Sequence, residues 1–387
     1  MKKRLLFNSL YFYPPLGGAE RSELNYLKAL KDDYDILALS YMENGFWNRR
    51  NEDIEIDGVQ IKKLMPPMET AFLKIVEEYR PDVVITQLLG SDRIIYECNR
   101  LGIKVIYKVH SLLEDVCKYH FDKCGYNDLG ICEFNGEICK NKEDYKNLKT
   151  KYEMCSHIVF NSEYTKKIFN RFFGEFYKTD VIIPNFDYDI FNNYEVEEVE
   201  KDYVDVLCIN SSITKGRDLI VELARRHEDL HIAYVDCRFP DINLLKSVKN
   251  IKIFGKVTRE NLSYIYKQVD VVLMPTMLHE TFSGVVHESL LCGTPVVASD
   301  KGCLSEIIKN GENGYIVDGY DDLDLWYQYI KRAKNLKISK EYSDSLKNKL
   351  INQKNNGINK LKQIINGFFQ DDFILNDDFE EIKNVNI

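Results

Sequence analysis

Apolar and polar residues alternate along the first half of the chain in a pattern that predicts strands followed by helices. Short runs rich in Val, Ile and Leu predict strands at 4–10, 34–40, 82–87, 103–109, 157–161 and 179–183. Helix-length segments, among them 19–31 and 69–80, lie between these runs. Residues 51–65 differ, because apolar positions flank Asp57-Gly58 on both sides and predict a β-hairpin. The alternation predicts an α/β protein with a parallel, doubly wound sheet.

The second half repeats this alternation after a polar break. Residues 187–203, rich in Asn, Asp and Glu, have almost no periodicity and are expected to be a linker. Further strands are expected at 204–209, 230–236, 251–254, 270–274 and 295–298, and helices at 217–227, 260–267, 284–292, 303–309 and 341–369. The chain is therefore predicted to have an N-terminal domain at 1–186 and a C-terminal domain at 204–335. A final segment, 336–387, would hold a long helix packing toward the N-terminal domain and an acidic tail. Because ligands of doubly wound sheets bind at the carboxyl ends of the strands, a polar ligand is expected in a cleft between the domains.

The composition excludes several classes of protein. The 387 residues include 52 Lys and Arg against 61 Asp and Glu, a net charge of −9 that argues against general nucleic-acid binding. No run of about 18 apolar residues occurs, so no membrane-spanning helix is predicted. Residues 1–7 are basic and apolar like a signal peptide, but Asn8 and Ser9 interrupt the run, and we interpret it as the first strand of a cytosolic protein. The ten cysteines fit a reducing compartment.

A short segment of the second predicted domain holds the densest set of chemically useful side chains. Glu280 is expected in the loop after a strand, and Ser283 is expected to cap a helix that begins near Gly284 and contains Glu288. The backbone N–H groups of Phe282, Ser283 and Gly284 would then suit a phosphate, and a carboxylate on each side could hold hydroxyl groups of a sugar and a ribose. Spacing alone leaves open that both glutamates are solvated charges.

A lysine lies where another helix of the same domain is expected to begin. Lys215 precedes Gly216 and follows the predicted strand that ends near Asn210. A lysine held there beside small polar residues is a natural partner for a diphosphate. The alternative is a solvated lysine.

Three motifs of the first predicted domain follow strands. Gly17 and Gly18 come after the first strand, where glycine permits close approach of the backbone to a ligand. His110 and Asn161 each end a later strand, at the edge where ligands bind. Each motif could instead be an ordinary turn or loop. The Gly-x-Gly-x-x-Gly pattern is absent, so nicotinamide chemistry has no support.

The ordered set of motifs resembles the family-four retaining glycosyltransferases, whose signature is Glu-x7-Glu and whose fold is GT-B. The matching parts, in chain order, are Gly17-Gly18-Ala19-Glu20, Lys215, Glu280 with Glu288, 298–306 and 310–318. Cys303 and Ser305 depart from the family's Gly-Gly-x-Pro-Glu stretch, and Asn210 stands where the family usually has Arg. The resemblance runs from about residue 5 to about residue 330, and it is strongest over 204–318.

This resemblance implies a fold of two Rossmann-like domains facing a central cleft, and roles for individual residues. Glu288 would hold the ribose of a nucleotide sugar. Lys215, with Asn210 nearby and the amides at 282–284, would hold the diphosphate. Glu280 and His110 would contact the transferred sugar.

The resemblance further implies retaining transfer of a sugar from a nucleotide-diphosphate sugar to a hydroxyl group of a glycan or lipid-linked acceptor. The leaving phosphate would take the acceptor's proton, with no enzyme nucleophile, no metal and no cofactor beyond the nucleotide sugar. Glu20, Asn161 and the glycine loop at Gly17 and Gly18 would lie near the ligands, the first two on the acceptor side. A cytoplasmic enzyme of surface polysaccharide or glycoconjugate synthesis is expected, with peripheral contact to the inner membrane. The alternatives are a GT-B sugar-nucleotide epimerase and a non-catalytic nucleotide-sugar-binding protein, which Asn210 alone favours.

Two further patterns leave alternatives open. An insertion at 111–150 contains Cys117, Cys124, Cys132 and Cys139. Their spacing is wider than the Cys-x2–4-Cys of common zinc sites, so a structural zinc, disulfides and free thiols in an acceptor-side loop all remain. The basic, Phe-rich segment 163–178 could lie on a membrane surface or pack on its sheet.

Asp-x-Asp pairs offer a different route to a diphosphate, through a metal ion. They occur at 33–35, 187–189 and 322–324. None convincingly follows a buried strand, and chance matches are expected among 61 acidic residues. We therefore predict transfer without a metal.

Overall fold

The computed structural model describes residues 2–15, 17–43, 46–87, 90–112, 143–176, 178–191, 204–210, 212–235 and 242–370. These residues divide into two compact units. The first unit covers the chain up to Phe186 and again from Gln353, and the second covers Asp187–Asn352. The four cysteines at 117–139 and the acidic tail after Gln370 lie outside the described residues.

The first unit alternates strands and helices as the apolar pattern predicts. Its strands are β1 (Arg4–Tyr11), β2 (Asp35–Glu43), β3 (Phe46–Trp47), β4 (Glu52–Ile56), β5 (Val59–Lys63), β6 (Val83–Gln87), β7 (Lys104–Val109), β8 (His157–Phe160) and β9 (Thr179–Val181). Its helices are α1 (Gly18–Leu30), α2 (Met68–Tyr79), α3 (Ser91–Arg100), α4 (Glu143–Glu153) and α5 (Glu163–Phe173).

These strands form one sheet that is doubly wound. The parallel strands lie in the order β5–β2–β1–β6–β7–β8–β9. Strands β4 and β3 pair antiparallel with β5 and β2 respectively. The strand order reverses between β1 and β6, and ligands of such sheets bind at the carboxyl ends of the strands beside this switch.

The second unit is a second sheet of the same kind. Its strands are β10 (Val206–Ile209), β11 (Ile232–Val235), β12 (Ile251–Gly255), β13 (Val271–Met274), β14 (Val296–Ser299) and β15 (Gly314–Val317). Its helices are α6 (Arg217–Arg226), α7 (Ile242–Lys246), α8 (Arg259–Gln268), α9 (Gly284–Leu291), α10 (Leu304–Ile307) and α11 (Leu323–Ala333). Short 3-10 turns cover Asp189–Phe191 and Ile213–Lys215. The long helix α12 (Lys340–Gly367) begins in this unit, and its residues from Gln353 belong to the first.

All the described strands of the second sheet are parallel, in the order β12–β11–β10–β13–β14–β15. Counted in chain order this is 3-2-1-4-5-6, the order of the Rossmann fold. The switch point lies between β10 and β13. The loops after these two strands are therefore expected to hold the ligand, and they carry Lys215 and Glu280.

The predicted hairpin at 51–65 is β4 paired with β5. Asp57 and Gly58 both have positive φ, 51° and 83°, as a type I′ turn requires. The predicted helix at 303–309 is shorter, because Ile308 is extended and the Lys309 N–H donates to Asn313 Oδ1 at 2.7 Å.

The Phe-rich segment at 163–178 packs on its own sheet. Phe169, Phe172 and Phe173 of α5 are buried, and the Phe169 ring contacts those of Tyr152 and Phe160 at 4.6 and 5.0 Å between centroids. The apolar face of α5 (Glu163–Phe173) therefore faces the core of the first unit. None of the described helices is both long enough and apolar enough to cross a membrane.

Candidate active site

The loops at the switch point of the second sheet bring Lys215 and Glu280 together. Lys215 ends the 3-10 turn after β10, and Glu280 follows β13. The Lys215 ammonium forms an ion pair with Glu280 Oε1, and the same oxygen accepts a hydrogen bond from Thr276 Oγ1 at 3.1 Å. The Lys215 side chain stays 26% exposed and that of Glu280 11%. The pair is therefore reachable by a ligand and held within the protein at the same time.

Two glycines allow the backbone conformation of the loops that carry Lys215 and Glu280. Gly216 has a φ of +85°, and a Cβ there would lie 2.1 Å from the Pro275 carbonyl oxygen. Gly302 has a φ of +74°, and a Cβ there would lie 2.1 Å from the Glu280 carbonyl oxygen. Because no side chain fits at either position, the loops after β10 and β13 and the turn after β14 can close on each other.

The N-terminus of α9 lies directly after Glu280 in the chain. Ser283 caps the helix, since its Oγ accepts from the Val286 N–H at 3.3 Å, and Gly284 is the first helical residue. Phe282 stacks on His287 with ring centroids 4.7 Å apart, and His287 Nδ1 donates to the Ser283 carbonyl at 2.7 Å. Burial lowers the pKa of His287 to about 4, so the ring is neutral at pH 7. Because the His287 ring carries no charge, the field that it leaves at this helix start is that of the positive end of the α9 dipole, which favours an anion.

Glu288 lies in the second turn of α9 and is nearly buried. Its Oε1 is 3.2 Å from the Arg259 guanidinium, and its Oε2 accepts from the Tyr266 hydroxyl at 3.1 Å. The Arg259 guanidinium in turn covers the Phe191 ring at 4.8 Å. Contact with a ribose stays a prediction for Glu288. Sequence reasoning missed Arg259 as its partner, because the two residues lie on different helices and share no motif.

Asn210 directly follows β10 and has a left-handed backbone conformation. Its φ is +71°, and its side-chain Oδ1 accepts from the Ser212 N–H at 3.0 Å. Asn tolerates this conformation better than other non-glycine residues because its side chain bonds to the nearby backbone. The residue that replaces the family's usual Arg thus shapes the loop that presents Lys215.

The glycine loop of the first unit lies at the start of α1. The Gly17 N–H donates to Glu20 Oε2 at 2.8 Å, so the Glu20 carboxylate folds back on the loop and caps the helix. Gly18 is exposed, and a Cβ there would touch Phe186 at 3.4 Å. An acceptor-side role of Glu20 stays a prediction.

His110 follows β7 and contacts a buried ion pair that the sequence did not reveal. Glu23 of α1 pairs with the Lys108 ammonium, and its Oε1 also lies 3.4 Å from His110 Nε2. Burial alone would raise the pKa of the Glu23 carboxyl, but the neighbouring Lys108 ammonium and His110 ring outweigh it and hold that pKa below its usual value. Glu23 is therefore ionised.

Asn161 is buried after β8, and its Oδ1 accepts from Thr165 Oγ1 at 2.9 Å near the start of α5. The predicted acceptor role is not tested by this contact.

Four of the six aspartates of the Asp-x-Asp pairs have structural partners. Asp322 caps α11, Asp324 pairs with Arg226, Asp189 with Lys347 and Asp33 with Lys362. Within the described ranges, no group of three His, Cys, Asp or Glu side chains could hold a metal ion.

The sequence of the second unit matches a known family. Residues 241–353, which include Glu280 and Glu288, match the family described as glycosyl transferases group 1. Spore coat protein SA of Bacillus subtilis is 24% identical over 151 residues, 35% of this chain and 39% of that protein. D-inositol 3-phosphate glycosyltransferase of Mycolicibacterium vanbaalenii is 37% identical over 91 residues, 22% of this chain and 20% of that protein. The chain thus matches only about a fifth to two fifths of the length of these curated relatives.

Solved structures resemble nearly the whole chain. Sucrose-phosphate synthase of Thermosynechococcus elongatus has a TM-score of 0.69 at 16% identity, covering 97% of this chain and 99% of that one. Anabaena HepE in complex with UDP has a TM-score of 0.67 at 16% identity, covering 94% of this chain and 100% of that one. At such identities the likeness establishes the fold alone. The chain has the GT-B fold, two Rossmann-like α/β domains, and over 241–353 its second domain matches the glycosyl transferases group 1 family.

Proposed function

We propose that the chain is a retaining glycosyltransferase that moves a sugar from a nucleotide-diphosphate sugar to a hydroxyl group of a glycan or lipid-linked acceptor. One observation carries the proposal. Lys215 and Glu280 form a partly exposed ion pair at the switch point of the second sheet, directly before the N-terminus of α9. The family match over 241–353 supports the same activity.

The positive groups at this point suit a diphosphate. The Lys215 ammonium and the first N–H groups of α9 can meet the negative charge that grows on the leaving diphosphate. In the structure the Lys215 ammonium forms an ion pair with the Glu280 carboxylate. A diphosphate would compete for Lys215 and so release the Glu280 carboxylate to accept hydrogen bonds from sugar hydroxyls. Because the chain itself supplies the positive charge, we propose that the transfer needs no metal.

We propose retention of the anomeric configuration because the resemblance to the family-four retaining glycosyltransferases implies it. We place both Glu280 and Glu288 on the donor side, and we assign neither carboxylate as a nucleophile. The acceptor oxygen would attack from the face that the diphosphate leaves. The bond from the anomeric carbon to the phosphate oxygen breaks as the new glycosidic bond forms, and the acceptor's proton passes to the leaving phosphate.

The first donors to test are UDP sugars, because HepE, a protein of the same fold, is known in complex with UDP and with UDP-glucose. We propose a role in surface polysaccharide or glycoconjugate synthesis, at the cytoplasmic face of the membrane.

The first experiment measures thermal stabilisation by nucleotide diphosphates in the presence of EDTA. At about 100 times Kd a ligand adds about 2.7 kcal/mol of stability, which raises Tm measurably. Lys215→Ala should abolish the shift, whereas Lys309→Ala, at an exposed lysine of the same unit, should retain it. No shift with any nucleotide diphosphate at millimolar concentration would contradict the proposal.

Product analysis then tests the reaction. Glu280→Gln should still bind the nucleotide but lose most of the turnover, and NMR of the product should show the donor's anomeric configuration. Conversion of the donor without any acceptor would instead indicate an epimerase. Full activity of both Glu280→Ala and Lys215→Ala would refute the assignment.

A further inference from the structure

Thr276 is a buried residue of the candidate site to which the proposed reaction gives no role. It lies in the loop after β13 and is fully buried. Its Oγ1 accepts a hydrogen bond from the Leu278 N–H at 3.2 Å, as threonine side chains often do in turns, and it lies 3.1 Å from Glu280 Oε1. The hydroxyl therefore closes a turn of the loop and still has its own proton to donate.

Three oxygens lie within reach of the single proton of this hydroxyl. They are Glu280 Oε1 at 3.1 Å, the Leu278 carbonyl at 3.3 Å and the Thr214 carbonyl at 3.5 Å. The carboxylate is the nearest of the three and the only charged one, and hydrogen bonds to a charged acceptor are about twice as strong as neutral ones. Thr276 therefore donates to Glu280.

Two neighbouring elements hold the backbone of Thr276 in place. Its carbonyl accepts a hydrogen bond at 2.6 Å from the Oγ of Ser299, the last residue of β14. The N–H of the next residue, Met277, donates at 2.9 Å to the Thr214 carbonyl in the 3-10 turn after β10. The position of the hydroxyl is thus fixed independently of the carboxylate to which it donates.

Glu280 Oε1 is therefore shared between two donors, and a ligand can reach only one of them. The Lys215 side chain is 26% exposed, whereas Thr276 is fully buried. The Glu280 side chain is 11% exposed, and a carboxylate in such a place is costly to leave without a donor.

We infer that Thr276 is a positioning residue for Glu280. When a diphosphate draws Lys215 away, the Thr276 hydroxyl keeps the carboxylate hydrogen-bonded and in place, so that its second oxygen can accept from a hydroxyl group of the sugar. This consequence rests on the proposed function, whereas the hydrogen bond between Thr276 and Glu280 does not.

Two substitutions separate the hydroxyl from the rest of the side chain. Thr276→Val keeps the shape and removes the hydroxyl, whereas Thr276→Ser keeps the hydroxyl. Titration calorimetry in EDTA gives Kd for the nucleotide diphosphate that stabilises the unchanged protein most, starting with UDP. In Thr276→Val only Lys215 of the two donors remains, so Glu280 holds the lysine against the diphosphate more strongly. We expect Kd to rise about tenfold in Thr276→Val, and by less than about threefold in Thr276→Ser.

Thr86→Val provides the matched control for a general loss of stability. Thr86 is also fully buried, in the first unit, and its Oγ1 donates to the Asn8 carbonyl at 3.1 Å. Its replacement should lower the free energy of unfolding and leave Kd for the nucleotide diphosphate unchanged. A rise in Kd equal to that of Thr276→Val would overturn the inference.

A double-mutant cycle with Glu280→Ala tests whether Thr276 acts through the carboxylate. In the Glu280→Ala background, Thr276→Val should change Kd less than about twofold. A rise that persists there at full size, or a Kd that Thr276→Val leaves unchanged in the parent protein, would overturn the inference.

If the unchanged protein binds no nucleotide diphosphate, the proposed function fails, and urea denaturation of the same four proteins still tests the hydrogen bond. Thr276→Val should then cost less stability in the Glu280→Ala background than in the parent protein. An equal loss in both backgrounds would overturn the inference.

Discussion

Gly302 fixes the backbone of Glu280, and replacing it by alanine should damage both the site and the fold. Gly302 pairs with Glu280 in an isolated parallel β-bridge, and the next residue's N–H donates to the Glu280 carbonyl at 2.8 Å. A Cβ at 302 would lie 2.1 Å from the Glu280 carbonyl oxygen and 2.4 Å from its nitrogen. Both atoms belong to the backbone, so no side-chain rotation relieves the overlap.

The expected loss has two parts. A non-glycine residue at a φ of +74° costs about 1–2 kcal/mol. Relieving the overlap requires the backbone to move by about 1 Å, which adds about 1–3 kcal/mol. A displacement of about 1 Å at a catalytic group can cost about 100-fold in rate, so kcat/KM should fall by roughly this factor.

Gly311→Ala provides the matched control. Gly311 lies in the same unit with a φ of +81°, but a Cβ there would meet no atom within 4 Å. It should show only the cost of the positive φ, with activity unchanged. Urea denaturation gives the stability of both variants, and initial rates with a nucleotide sugar that the unchanged protein uses as donor give kcat/KM. Equal stability loss in the two variants, together with equal activity, would refute the view that Gly302 positions Glu280.

Two further predictions concern buried ionisable side chains of the second unit. Arg259→Ala should destabilise the protein by roughly 2–4 kcal/mol in urea denaturation, because it removes the guanidinium that pairs with the nearly buried Glu288 carboxylate. Adding Glu288→Gln should recover part of the loss, and a loss below about 0.5 kcal/mol in Arg259→Ala would contradict this reasoning. In the folded protein His287 has a pKa of about 4, below its ordinary value of about 6.5. As the pH falls, the unfolded state therefore binds a proton at His287 before the folded state does. The free energy of unfolding should fall by up to about 3 kcal/mol as the pH drops from about 6.5 to 4. His287→Asn should flatten that part of the pH–stability curve, and an unchanged slope would show that another group is responsible.

Much of the fold could be predicted because its signals are local. The Asp57-Gly58 turn specified the β4–β5 hairpin, and Ser283 marked the first turn of α9. Gly314 begins β15, directly after the turn at 311–313. A Cβ at Gly314 would lie 2.0 Å from the Val296 carbonyl oxygen. Glycine is required there for close approach of neighbouring strands, a reason that one sequence does not expose.

Strand ends were the reliable guide to the candidate site. Parallel strands bring their carboxyl ends to one edge, so polar residues that follow buried strands collect there whatever their separation in sequence. Lys215 and Glu280 are 65 residues apart and meet for this reason. Asn210 also ends a strand, but the sequence could not show that its contribution is a left-handed φ that shapes the lysine loop.

The partners that neutralise buried charges could not be predicted, and the physical reason is general to this fold. Glu23 lies on a helix face and Lys108 within a strand, 85 positions apart, so neither periodicity nor motif links them. Their pairing depends on how α1 crosses the sheet. The pattern of apolar residues constrains that crossing only through the volume of the side chains packed between the helix and the sheet. A ligand-facing residue is recognisable by where its strand ends, whereas the residue that orients it can come from any element packed behind. Predicting such second partners therefore requires the packed structure.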